Sequence, residues 1–242
     1  MEHSVRLRRL DRSTLKIMAL AAMTIGHFFL YTLKEIRCLG LGRPWSRLLC
    51  YSAFLAPPVF FFFIAEGFRY THSRRAYAVR LLIFAVITQI AGNLWFGSGL
   101  DIKGLFSIGN VFFTLLFGFL DLCILHSDLK LPLKLLGVAF LLALSLLMDC
   151  EWRITGQLII LAFYYLGKKP WLNRTVFALL IVLDFGTGNL TMLFFLMLAA
   201  VLVLFCYNGE KGKGSQFLKY FFYAFYPLHL LAINLFKSLM QG

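Results

Sequence analysis

The residues of this chain with the most chemical reach are two histidines set in apolar surroundings, His27 in LKIMALAAMTIGHFFLYTL and His229 in FFYAFYPLHLLAI. An imidazole exchanges protons near neutral pH, and a carboxylate beside it fixes its tautomer, so such a pair suits general acid/base work. In lipid the group is costly unless it meets a partner or a wet cavity, which makes it a candidate functional site. Asn110, Asp149 and Asp184 close other apolar runs and are the groups that could converge on the histidines. Asp184 also has a simpler account, interhelical hydrogen bonding or interfacial snorkelling. Glu66 and Arg80 form a second group, bracketing the turn in AEGFRYTHSRRAYAVRLL. An ion pair across that turn is one reading. The other is a basic entrance for a phosphorylated donor, because Arg grips phosphate in a forked geometry. Arg69, Arg74 and Arg75 read as ordinary anchors, and His3, His72 and His126 as solvated surface.

The elements that position these residues are membrane helices. Of 242 residues, 60% are hydrophobic and only 14% charged, a balance that fits a polytopic membrane protein and not a soluble domain. The net charge of +13 would suggest nucleic acid in a soluble chain. Here the cations cluster between apolar runs, so orientation and anionic lipid explain them instead. Apolar stretches over 15–33, 50–68, 78–96, 105–125, 132–148, 154–167, 171–185, 189–207 and 218–237 predict an all-α bundle of about nine spans, the sixth and seventh short. All must be helical, since lipid offers the backbone no hydrogen-bond partners. The chain reads as one integral membrane domain over 1–242, and the first stretch as a retained span, not a cleaved signal. Cations before the first span and in the second, sixth and eighth loops place the N-terminus in the cytoplasm. Lys34, Arg37, Arg43 and Arg47 in the first loop break that pattern, so either this loop lies at the interface or the span count is off there. With the N-terminus inside, His27, Asn110 and Asp149 fall at similar depth towards the outer side. The five cysteines show no metal spacing, and Walker A, G-x-S-x-G and H-E-x-x-H motifs are absent.

Five segments in order resemble the TraX-like family of integral membrane proteins, named for the conjugation protein that acetylates F-type pilin. They are LKIMALAAMTIGHF, PVFFFFIAEGFRYTHSRRAYAVRLL, GNVFFTLLFGFL, MDCEWRITGQLIILAFYYL and FFYAFYPLHLLAI. The matched positions are His27, Pro58, Glu66, Gly67, Thr71, Tyr77, Arg80, Asn110, Thr114, Asp149, Gly156, Tyr226, Pro227 and His229. Three departures stand out: Gly26 where the family often has Asp, Phe54 where it often has Arg, and Cys150 where it has Tyr.

The resemblance implies a membrane-bound acyltransferase of the bacterial inner membrane, using acetyl-CoA from the cytoplasm. The acceptor would be an amine or hydroxyl at or beyond the outer face, on a peptide, a pilin or a surface glycan. In that reading His27 is the general base, Asp149 or Asn110 orients it, and His229 polarises the thioester or holds the acceptor. Glu66, Tyr77 and Arg80 shape the donor site. The competing expectation is a non-enzymatic permease, or an assembly factor of a conjugation or secretion apparatus. Transport is disfavoured by the absence of internal repeats and of matched broken helices.

Overall fold

A computed structural model describes residues 9–36, 43–96, 109–212 and 216–241. Apart from one isolated bridge between Leu10 and Tyr207, the described residues form helices and turns. In chain order the helices are α1 (Arg12–Ile36), α2 (Arg43–Tyr51), α3 (Ala56–Tyr70), α4 (Arg74–Phe96), α5 (Val111–Leu125), α6 (Leu131–Leu147), α7 (Arg153–Tyr165), α8 (Pro170–Phe185), α9 (Leu190–Val201) and α10 (Gln216–Gln241). A 3₁₀ turn, Ser52–Leu55, joins α2 to α3, and a π turn, Leu202–Cys206, extends α9.

Three stretches are long and apolar enough to cross a bilayer: Arg12–Thr32, Pro44–Tyr70 and Arg74–Asn93. Val111–Leu125, Leu131–Leu147 and Leu190–Cys206 are apolar but shorter. The second crossing differs from the expected 50–68 because α2 runs into α3 through the 3₁₀ turn. Pro57 and Pro58 do not break this helix. They occupy the first turn of α3, where a missing N–H costs nothing. The helix α2, RPWSRLLCY, sets Trp45, Leu48 and Leu49 at helical spacing against Arg43, Ser46 and Arg47. That two-faced pattern suits the interfacial end of this crossing, the setting that the cations Arg43 and Arg47 need. Arg37 falls outside the described residues.

The chain forms two compact units. The first takes in residues 1–59 and 181–242. Here α1 packs against α2, the 3₁₀ turn and α10, and α9 against α2 and the 3₁₀ turn. Its interior is made by Leu15, Ala19, Met23, Leu196, Ala199 and Val203 among others. The segment before α1 is tied to the end of α9 by main-chain bonds, Leu10 N to Cys206 O and Arg12 N to Glu210 O, both 3.0 Å.

The second unit is residues 60–180. α5 is its centre, packed against α4, α6 and α7, with Phe61, Phe119, Phe163 and Phe177 fully buried. Its α4 is polar inside and apolar outside. Val79, Leu82, Ile83, Val86, Ile87 and Ile90 are exposed, while Thr88, Gln89 and Asn93 are buried. In water so large an apolar face would drive association; in a bilayer it is the solvated side. This is a membrane protein.

Candidate functional site

In the first unit, α1 and α10 bring His27 and His229 together. Nδ1 of His27 lies 2.9 Å from Nε2 of His229, and the two rings are inclined by only 12°. On the far side, Nδ1 of His229 lies 3.1 Å from the carbonyl oxygen of Phe225, one turn back on α10. A carbonyl only accepts, so His229 Nδ1 carries the proton and its Nε2 presents a lone pair. His27 Nδ1–H therefore donates to it, which leaves the lone pair of His27 on Nε2. The relay fixes one tautomer for both neutral rings. His229 is buried and His27 half-buried, so the basic nitrogen sits on the more accessible ring. Tyr226 stands edge-on to both rings, 6.3 Å from His27 and 5.3 Å from His229, and Tyr31 lies 5.8 Å from His27.

Gly26, one residue before the base, faces the 3₁₀ turn. A Cβ there would lie 2.4 Å from Ala53 N and 2.5 Å from Ala53 Cβ. No side chain fits, and the residue that bonds His27 is His229. Beside this contact the Ser52 hydroxyl lies 2.7 Å from Leu49 O and 2.9 Å from Ala22 O, its one proton shared between the carbonyl of its own segment and that of α1. Phe54 packs against Tyr51 and Phe185 at centroid distances of 5.8 and 6.2 Å.

The second unit holds Asn110 and Asp149, and gives each a partner of its own. Asn110 caps α5: its Oδ1 accepts from Phe112 N at 3.0 Å, while its Nδ2 donates to Ala85 O at 2.8 Å and Gln89 Oε1 at 3.2 Å. A carboxamide so occupied and buried pins α5 to α4. Asp149 is exposed and paired with Arg153 at 2.8 Å, across a turn in which Asp149, Trp152 and Arg153 all have positive φ. Thr114 Oγ1 donates to Glu151 O and holds that turn against α5. Gly156 leaves room for this approach, since a Cβ there would meet Thr114 Cγ2 at 2.5 Å. Asp184 is exposed at the end of α8.

Glu66, Tyr77 and Arg80 gather about the α3–α4 turn. Gly67 faces the Tyr77 hydroxyl, which a Cβ would approach to 2.9 Å, and the Arg80 guanidinium lies 5.3 Å from the Tyr77 ring centroid. Glu66 is buried. Three turns of the unit meet at this end. Arg69 donates to Tyr164 O and lies 4.8 Å from its ring, Arg74 covers Phe68 at 4.4 Å, and Phe68 packs against His126. His126 is exposed, as expected, and is also engaged by hydrogen bonds. Its Nδ1 donates to Leu122 O at 2.9 Å, so its Nε2 accepts from the Tyr164 hydroxyl at 3.0 Å. The same end carries Arg75, Lys130, Lys168 and Lys169, all exposed. The alternation of basic loops expected from sequence thus becomes one basic end of this unit.

Sequence reasoning missed the polar interior of the second unit. Asp121, Gln157 and Asn173 are fully buried, and Thr88, Gln89 and Asn93 nearly so. The signal that picks out His27, a polar side chain within an apolar run, also picks out Asp121 in GFLDLCIL.

An all-helical membrane protein with paired imidazoles in one unit and a basic, Arg- and Tyr-lined end in the other is the class defined by this fold. The chain matches the family described as TraX protein over residues 11–237, and it belongs to that family. It is 29% identical over 251 residues to "Probable fimbrial assembly protein FimC, serogroup H1" of Dichelobacter nodosus, covering 97% of this chain and 99% of that protein. No solved structure matches it.

Proposed function

We propose that this protein is an acyltransferase of the bacterial inner membrane, N-terminus in the cytoplasm, that transfers acetyl from acetyl-CoA to an amine or hydroxyl of a pilus-related acceptor. The observation that carries the reading is the His27–His229 relay, which leaves a basic Nε2 on the more accessible ring. In the reaction the acceptor nitrogen or oxygen attacks the thioester carbonyl, and His27 Nε2 takes its proton. The new N–C or O–C bond forms as the C–S bond breaks. CoA leaves as thiolate and is protonated to the thiol, resetting His27. His229 holds the base in its tautomer and spreads the charge of the imidazolium through its own Nε2. For the phosphates of the donor the proposed group is Arg80 with Tyr77 and Glu66, because a guanidinium grips phosphate in a forked geometry. Positive-inside logic supports the orientation, because the basic end belongs on the donor's side.

The name of the relative favours one second reading, an assembly factor without catalytic activity. Membranes given isotopically labelled acetyl-CoA separate the two. Label transferred to a pilin or other surface acceptor by wild type, and reduced about 10²–10⁴-fold by His27→Ala, supports catalysis. Label unaffected by His27→Ala refutes this base, and no label at all supports the assembly reading.

A further inference from the structure

At the basic end of the second unit, rings and carbonyls hold the cations in place. The Phe68 ring is the hub: His126 packs on it at 5.1 Å, Tyr164 at 5.4 Å, and the Arg74 guanidinium covers it at 4.4 Å. Arg69 lies over the Tyr164 ring and donates to the Tyr164 carbonyl, near the end of α7. Gly167 leaves room for it, because a Cβ there would stand 3.0 Å from Arg69 Nη2. Lys134, in the first turn of α6, donates from Nζ to Leu125 O at 3.0 Å, one residue before His126. A continuous set of contacts thus joins cations from α3, α4 and α6 to the ends of α5 and α7.

These cations have no carboxylate to neutralise them. Among the described residues Arg69, Arg74 and Lys134 form no ion pair, nor do Lys130, Lys168 and Lys169 at the rim. The acids at this end are Asp128, exposed in the α5–α6 turn, and the buried Glu66. Donors are left to spare. An ammonium has three N–H groups and a guanidinium five, and a carbonyl takes one from Lys134 and one from Arg69. Because rings and carbonyls already fix these long side chains, an anion that binds them costs little further ordering.

Around the cations the surface is aromatic and apolar. Tyr70, Tyr165 and Trp171 are exposed, Trp171 with the Arg174 guanidinium 4.1 Å from its ring, and the exposed Leu129 and Leu131 flank Lys130. Tyrosine and tryptophan gather where the headgroups of a bilayer meet its acyl chains. A soluble anion would use the cations alone. A lipid uses both features, its phosphate on the cations and its chains along exposed leucines such as Leu133 and Leu136 of α6.

We propose that Arg69, Arg74 and Lys134 form a headgroup site for an anionic phospholipid, with Lys130, Lys168 and Lys169 as its outer rim. The phosphate oxygens accept from the two guanidiniums and from the remaining N–H groups of Lys134. This differs from the diffuse attraction of loop cations to an anionic surface, in which each cation counts about equally. Arg80, assigned to the acyl donor, is not part of the site.

The test is native mass spectrometry of the full-length protein in a neutral detergent, titrated with phosphatidylglycerol and, separately, with phosphatidylcholine. The expected result is one phosphatidylglycerol retained per protein at concentrations where phosphatidylcholine is not. Arg69→Ala and Arg74→Ala should each weaken that binding about tenfold, the loss of one bond to a charged group. A Lys168→Ala, Lys169→Ala double variant, which removes exposed rim charge, should weaken it only about twofold. If Arg69→Ala does not fold, Arg74→Ala decides, since among the described residues its guanidinium makes no internal hydrogen bond. His27→Ala should bind the lipid as wild type does, so this proposal and the catalytic one fail separately. Equal retention of the two lipids, or a loss in the lysine variant as large as in the arginine variants, means diffuse attraction and overturns the proposal. Displacement of the lipid by an equimolar amount of inorganic pyrophosphate assigns the cations to a soluble phosphate and overturns it too.

Discussion

Placing aspartate at position 26, the residue expected there from the family resemblance, should damage this protein instead of improving it. A Cβ at Gly26 would stand 2.4 Å from Ala53 N and 2.9 Å from Ala53 Cα, about 1.0 Å inside ordinary contact at 3.4 Å. The obstacle is main chain, so no rotamer change relieves it, and the 3₁₀ turn must move off α1. Overpacking of this kind costs about 1–3 kcal/mol. The Ser52–Ala22 contact at 2.9 Å is stretched by the same movement, and its loss adds up to about 1 kcal/mol, since the hydroxyl keeps Leu49 O at 2.7 Å. Gly26→Ala should therefore lose about 1–4 kcal/mol, and Gly26→Asp more, because it also buries a carboxylate. Unfolding in a fixed detergent measures the loss. Nitrogen NMR of labelled histidine reports the second effect, since moving α1 disturbs the 2.9 Å contact and with it the single tautomer of the His27–His229 pair. A Gly26→Asp protein as stable as wild type, with the histidine signals of a carboxylate-bound imidazole, would refute the reasoning.

Other perturbations separate fastening from function. Asn110→Ala removes the α5 cap and two bonds to α4, and should cost about 2–3 kcal/mol in the same unfolding assay. Asp149→Ala breaks an exposed pair with Arg153, worth about 0–1 kcal/mol, and should leave acetyl transfer at the wild-type rate. A loss as large as that of His27→Ala would instead give Asp149 the orienting role expected from the family resemblance. Burial pushes the Cys150 thiol from an ordinary 9.0 up to about 11. The folded value lies above the unfolded one, so this thiol's contribution to stability is full below pH 9 and is lost as the pH rises towards 11. In the folded protein Cys150 should accordingly resist iodoacetamide at neutral pH and react quickly only once the chain is unfolded, as peptide mass spectrometry will show.

That the chain is helical and membrane-embedded is legible in the residues alone, because hydropathy over a bilayer's width and the need to satisfy every backbone group are local properties. The sequence also singled out His27 and His229 and the cations of the basic loops, since polar residues stand out against apolar runs. It could not say which polar groups meet. His27 takes its partner from 202 positions away on α10, while Asn110 and Asp149, equally prominent in sequence, are engaged by Gln89 and Arg153 within the other unit. Nor could it see that Ala53 occupies the space a side chain at Gly26 would need, or that Asp121 is wholly enclosed. In a membrane protein lipid-facing and core-facing apolar residues look alike in sequence. Only the packing of α5 against its three neighbours decided which side chains were inside, and only the approach of α10 to α1 decided which histidine orients the other.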